Sequence, residues 1–193
     1  MAPLLPTDGL PPRFRSVALL APDEPRFWPL FEASPERRDG RPDPLDRWSR
    51  RVVGRLACGR GKAVFPFGGP PWRPFYQWAL RSGRAWASPI HLLVHEEAGL
   101  WISFRGAVAL CEEAPATSAI RPCDACTAPC ATACPVGAFS PGGFDAAACR
   151  AHVSGPEGAD CLTIGCRARR ACPVGRGRRD PSQSAFHMEA FAP

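Results

Sequence analysis

The chain has 193 residues, 45% hydrophobic and 22% charged, which suits one moderate folded domain or two small ones and excludes wholesale disorder or a large multidomain enzyme. Its 18 glycines and 24 prolines interrupt elements and favour turns, so short elements and much loop are expected. The formal charge of +6 lies wholly in the first 110 residues, whereas residues 111–193 carry equal numbers of acids and bases; composition does not point to nucleic acid. No apolar run approaches the roughly 18 residues of a membrane span, and residues 1–12 lack the basic start and apolar run of a signal peptide. A cytoplasmic protein without a membrane span is the expectation.

Along the chain, residues 1–15 are Pro-rich and read as irregular, and Ser16–Leu20 reads as a strand closed by Pro22 and Asp23. Phe27–Phe31 is too short, and too interrupted by Pro29, to assign. Leu45, Trp48, Val52 and Leu56 recur at helical spacing, with Asp43 as cap and Pro44 at the first helical position, which predicts a helix over 44–57. Ala63–Phe67 reads as a strand leading into the turn Gly68, Gly69, Pro70, Pro71, and Pro74–Leu80 as a second helix. Ile90–His95 and Leu100–Phe104 are apolar runs joined across Glu96–Gly99, a hairpin pattern with Gly99 where φ must be positive. Gly106–Cys111 supplies a further strand. Glu112–Ser118 reads as a linker and 181–193 as a tail.

Eight of the ten cysteines lie between Cys123 and Cys172. Without a signal peptide, such local density points to metal coordination rather than a disulfide framework. Cys123, Cys126, Cys130 and Cys134 precede Pro135 as C-x2-C-x3-C-x3-C-P. Cys149, Cys161 and Cys166 follow, then Cys172 before Pro173, and both Cys-Pro pairs continue Val-Gly, like a degenerate duplication. In two-cluster ferredoxins the fourth cysteine of such a run serves the other cluster. Crossed ligation would group Cys123, Cys126, Cys130 and Cys172 around one [4Fe-4S] cluster, and Cys149, Cys161, Cys166 and Cys134 around the second. A zinc module with the same ligands is the rival, since soft thiolates suit either metal. Val136, Phe139, Phe144, Leu162, Ile164 and Val174 would shield the clusters from water.

Other features have plainer readings. Cys58 and Cys111 read as small core residues, His91 and His95 as same-face strand residues, and His152 as an exposed loop histidine or a hydrogen-bond donor to a cluster sulfur. Gly68 and Gly69 with Trp72 and Tyr76 could line a pocket for a flat cofactor, cobalamin or a flavin, although core packing explains the same aromatics. Arg167, Arg169, Arg170, Arg176, Arg178 and Arg179 form a basic patch, either a solvated face or a docking surface for an acidic redox partner.

The cysteine run resembles the two-cluster [4Fe-4S] ferredoxin-like domain over about 50 residues. Ser88–Glu97 and Gly99–Gly106, followed by the cysteines, look like the segment ahead of the clusters in epoxyqueuosine reductases and corrinoid-dependent reductive dehalogenases. That resemblance implies an α+β protein, with a nitroreductase-like or cobalamin-processing-like α/β domain over 1–113, a two-cluster domain over 114–180 and a tail over 181–193. The acidic proton donor those reductases carry ahead of the hairpin has no counterpart at Phe67–Pro71. Iron-sulfur electron transfer is therefore the expected function, with a corrinoid- or flavin-dependent reductase or a zinc-binding interaction protein as alternatives; the residues do not decide whether the chain is an enzyme.

Overall fold

The computed structural model describes residues 1–117 and 119–192; the last residue of the expected linker, Ser118, and the last of the expected tail, Pro193, lie outside them. In chain order the elements are β1 (Ala2–Pro3), β2 (Ser16–Leu20), α1 (Phe27–Glu32), α2 (Pro35–Arg38), α3 (Pro44–Ala57), β3 (Lys62–Val64), α4 (Phe75–Arg81), β4 (Ala85–Ala87), β5 (Leu93–His95), β6 (Gly106–Leu110), β7 (Phe139–Ser140), β8 (Gly143–Phe144), α5 (Ala146–Val153), α6 (Ala159–Ile164), α7 (Arg167–Arg170) and α8 (Pro181–Glu189). No helix among the described residues is long and apolar enough to cross a membrane. The chain divides into two units, Met1–Ala85 with Ser103–Ala119, and Trp86–Ile102 with Ile120–Pro193. Residues 86–102, expected upstream of a boundary at 113, therefore belong with the cysteine-rich segment.

The first unit is built on an antiparallel sheet of order β1-β2-β6-β3. Side chains alternate across a strand, and the register sets Val17 opposite Ala109 and Val64 opposite Ala107 on one face, where they cluster with Phe75 and Trp78 of α4. The small alanines leave room for the two rings, whose centroids lie 5.0 Å apart. On the other face α3 packs over β6 and β3, and a Cβ on Gly106 would come within 3.0 Å of Val53.

Helix α3 begins and ends where its sequence predicts, but its buried face is displaced by one residue. Leu45, Ser49, Val53 and Ala57 are buried, whereas Leu56 is 46% exposed. The cause is a division of labour: Ser49 returns its hydroxyl to the Leu45 carbonyl (2.7 Å) and can sit in the core, while Trp48 packs edge-on against Phe27 at 5.2 Å and Phe31 at 6.2 Å. Phe27–Glu32 is helical although it contains Pro29, because Pro29 is the third residue of the helix, in the first turn, where no N–H is needed. Asp43 sits at φ 51° and makes no side-chain cap; Pro44, which needs no hydrogen-bond partner for its nitrogen, starts the helix.

This unit's ion pairs include two that lower the titration of their carboxylates by direct contact with an arginine. Asp8, 4% exposed, takes Arg81 at 2.6 Å and the Leu5 N–H at 2.8 Å; burial works against its charge, but these donors win and hold the carboxyl below its ordinary range. Arg51 grips Glu36 with two bonds of 2.5 and 2.8 Å, and chiefly that contact lowers Glu36 to about 2.

In the second unit, β4 and β5 form a two-stranded sheet, and β7 and β8 a hairpin whose Phe139 and Phe144 stack at 5.0 Å. The expected strand Leu100–Phe104 is instead turn and irregular chain: the only ladder contact at that bend is an isolated bridge between His95 and Gly99, and Trp101 N–H turns back to the Ala98 carbonyl. Both Cys-Pro-Val-Gly ends finish on a glycine of positive φ, Gly137 at 59° and Gly175 at 73°. The tail contains α8, started by Asp180, whose carboxylate accepts the Ser182 N–H at 2.8 Å with Pro181 at the first position.

Candidate functional site

The eight clustered cysteines are delivered by short elements. Cys123 and Cys126 flank a turn closed by the Cys126 N–H to the Cys123 carbonyl, 3.2 Å. Cys130 lies in the 3-10 turn Pro129–Ala131, and Cys134 begins a turn closed by the Gly137 N–H. Cys149 lies on α5, whose start is capped by Asp145 accepting the Ala148 N–H at 2.9 Å. Cys161 lies on α6, which Gly165 ends at φ 93°; Cys166 precedes α7 and Cys172 follows its last cap. All ten cysteines of the chain are free thiols.

The fold gathers these eight into two sets of four. Cys123, Cys126, Cys130 and Cys172 line one cavity of about 20 Å³, together with Ser88, Val94, Leu100 and Val174. Cys134, Cys149, Cys161 and Cys166 line another of about 20 Å³, together with Phe139, His152 and Met188. Each has room for about one water. Burial, reinforced by neighbouring cysteines, pushes the Cys130 thiol up and Cys149 to about 11. Burial also raises Cys123, against the opposing pull of Arg121, and Cys161, against that of Arg167. Two sulfurs accept backbone donors: Cys126 Sγ from Ala128 N–H (3.4 Å) and Cys134 Sγ from Ala138 N–H (3.3 Å).

Metal binding makes a stricter demand than gathering. An ion takes thiolates at about 2.3 Å, so three or more ligands must converge on one point, and among the described residues no group of three or more His, Cys, Asp or Glu side chains is placed to hold a metal ion. The thiols line cavity walls instead. This corrects the expectation of two [4Fe-4S] clusters and of zinc, and with it the iron-sulfur electron-transfer function, the ferredoxin-like likeness and the reductase alternative.

The expected cobalamin or flavin pocket is corrected as well. Gly68 and Gly69 do turn at positive φ, but Trp72 is 66% exposed while Phe75 and Trp78 are buried in the core, so the aromatic segment splits between solvent and interior, with Tyr76 half-buried between them. Gly68 faces Arg50, whose guanidinium stacks over Phe67 at 5.1 Å. No protein-family model, curated protein or solved structure matches the chain.

Other expectations shift too. Cys58 and Cys111 are exposed rather than buried, and Val136, Phe144 and Ile164 are exposed rather than packed inward. His91 lies in a turn at φ 61°, and His95 Nδ1 accepts the Glu97 and Ala98 N–H groups. Of the arginine patch, Arg167 and Arg170 bind Asp160 at 2.7 and 2.6 Å, Arg179 covers Trp101 at 5.0 Å and donates to its carbonyl, and Arg176 is exposed. Two residues lining the cavities carry buried atoms without a hydrogen-bond partner: Ser88 Oγ at the first, and at the second His152 Nε2, which lies on α5 and not in the exposed loop expected for it. A lone serine carries no spacing signal that could have marked Ser88.

Proposed function

We propose that the second unit is a thiol module, in which the Cys123–Cys126 pair exchanges between dithiol and disulfide with a low-molecular-weight disulfide. The observation that carries this reading is the turn joining the pair. A turn closed by an i+3 N–H to i carbonyl bond keeps its end Cα atoms within about 7 Å, and a disulfide needs about 4.4–6.8 Å. Both sulfurs line one cavity. Cys126, whose sulfur already accepts a backbone N–H, attacks; its thiolate forms a mixed disulfide and expels one small-molecule thiolate. The Cys123 thiolate then attacks Cys126 Sγ, closing the internal disulfide and expelling the second. Two protons leave the protein for the two expelled thiolates and two electrons pass to the small disulfide, so a protein dithiol and one small disulfide become a protein disulfide and two small thiols.

Free thiols persist in reducing compartments, so a cytoplasmic setting fits this reading. The exposed Arg176, four residues after Cys172, favours an acidic protein as the partner that restores the dithiol, because opposed charge speeds encounter. Incubation with oxidised glutathione, followed by disulfide mapping, tests the proposal. A Cys123–Cys126 disulfide as the first product, and Cys123→Ser arrested with glutathione on Cys126, are expected. Disulfides scattered across both sets, or thiols that react only after unfolding, would overturn it.

A further inference from the structure

Ser88 is 5% exposed, yet its hydroxyl has no hydrogen-bond partner. Buried hydroxyls nearly always have one, and an exception calls for a physical account. The residue is not loosely placed. Its N–H donates to the Leu92 carbonyl at 2.9 Å and its own carbonyl accepts the His91 N–H at 2.9 Å, which pins the turn between β4 and β5 from both sides. The residue is thereby held among those that line the first cavity, with Cys123, Cys126, Cys130 and Cys172. A buried hydroxyl with no partner, on a residue that lines a cavity of thiols with room for about one water, can donate to a sulfur there once that sulfur becomes charged.

Resting on the thiol-exchange reading, we infer that Ser88 is a positioning residue whose O–H donates, directly or through one water, to the thiolate formed in the Cys123–Cys126 pair. A neutral thiol offers the hydroxyl little, and a disulfide less. A thiolate is a strong acceptor, and hydrogen bonds to ionised groups are about twice as strong as neutral ones. Ser88 therefore favours the ionised reduced form of the pair over its disulfide, and steadies each thiolate that the exchange generates. The second set has a different wall, with His152 in place of a serine, so the device belongs to the first cavity alone.

The test equilibrates full-length protein with glutathione redox buffers and reads the Cys123–Cys126 disulfide by mass spectrometry in the wild type, Ser88→Ala and Ser88→Thr. In buffers alkaline enough for the reduced pair to carry a thiolate, Ser88→Ala should shift the equilibrium about tenfold toward disulfide, which is about 30 mV for a two-electron couple, while Ser88→Thr, which keeps the hydroxyl, should stay with the wild type. A shift common to both variants, or absent from both, would overturn the assignment. Iodoacetamide alkylation of Cys126 at fixed pH separates this failure from that of the exchange reading. It should slow about tenfold in Ser88→Ala but not Ser88→Thr, and an unchanged rate counts against Ser88 even where glutathione exchange is normal. If the wild type alkylates with this serine dependence but never forms the internal disulfide, the exchange reading falls and the hydroxyl assignment stands.

Discussion

Gly99 stands where the second unit closes on its first thiol cavity, and replacing it with alanine separates two physical effects. At φ 55° an L-residue pays a left-handed cost of about 1 kcal/mol. A Cβ there would also lie 2.0 Å from the Val174 carbonyl oxygen and 3.1 Å from Cys172 Sγ, so the backbone of the Cys172-Pro173-Val174 segment must retreat by more than 1 Å to restore ordinary contact, an overpacking cost of about 2 kcal/mol. The total is about 3 kcal/mol. Gly137, at φ 59° with nothing within 4 Å of its Cβ position, isolates the first effect: Gly137→Ala should cost about 1 kcal/mol. Urea unfolding of both variants in reducing buffer measures the difference. Native-state alkylation reports the displacement directly, because Cys172, 8% exposed in the folded chain, should become reactive in Gly99→Ala alone. Equal stabilities for the two variants, with Cys172 protected in both, would refute the close-approach argument.

Three further outcomes are expected. Asp8→Asn leaves Arg81 facing a neutral partner in a buried setting and should destabilise the first unit by about 3 kcal/mol, measured by thermal unfolding at neutral pH. Because Glu36 is depressed to about 2 from 4.5, its contribution is complete above about pH 4.5 and is lost as pH falls toward 2; Glu36→Gln should flatten that part of the stability profile. Cys149, raised from 9.0 to about 11, should alkylate at pH 8 about 100-fold more slowly than an unperturbed thiol of equal access. The same raised value makes folding stability decline between about pH 9 and 11, where the unfolded thiol has lost its proton and the native one has not.

Much of the first unit was legible because its signals are local. Ser16–Leu20 is a short apolar run closed by Pro22 and Asp23, and Pro44–Ala57 combines period with a proline start; both are found as expected. Which face of α3 is buried was not legible, since Trp48 satisfies the same periodicity by packing on α1, an element that Pro29 disguised. The Leu100–Phe104 run failed as a strand because it has no partner strand: Leu100, 1% exposed, is buried in the second unit's core, whereas Phe104 packs against the core of the first. Cysteine spacing drew attention to eight residues, and the structure distributes them around two cavities in the same two sets of four. Spacing says nothing, however, of whether side chains converge on one point, and it is there that the metal expectation failed.

The central claim is that the clustered cysteines are free thiols with an exchanging pair, and one measurement addresses it most directly. Protein purified without oxygen is assayed for iron, acid-labile sulfide, zinc and titratable thiols on the same sample. Ten thiols per chain, two of them lost together on adding oxidised glutathione, with no stoichiometric metal or sulfide, is the expected result. Iron and sulfide, or zinc, retained in fixed proportion to the chain with the eight clustered thiols blocked would contradict it.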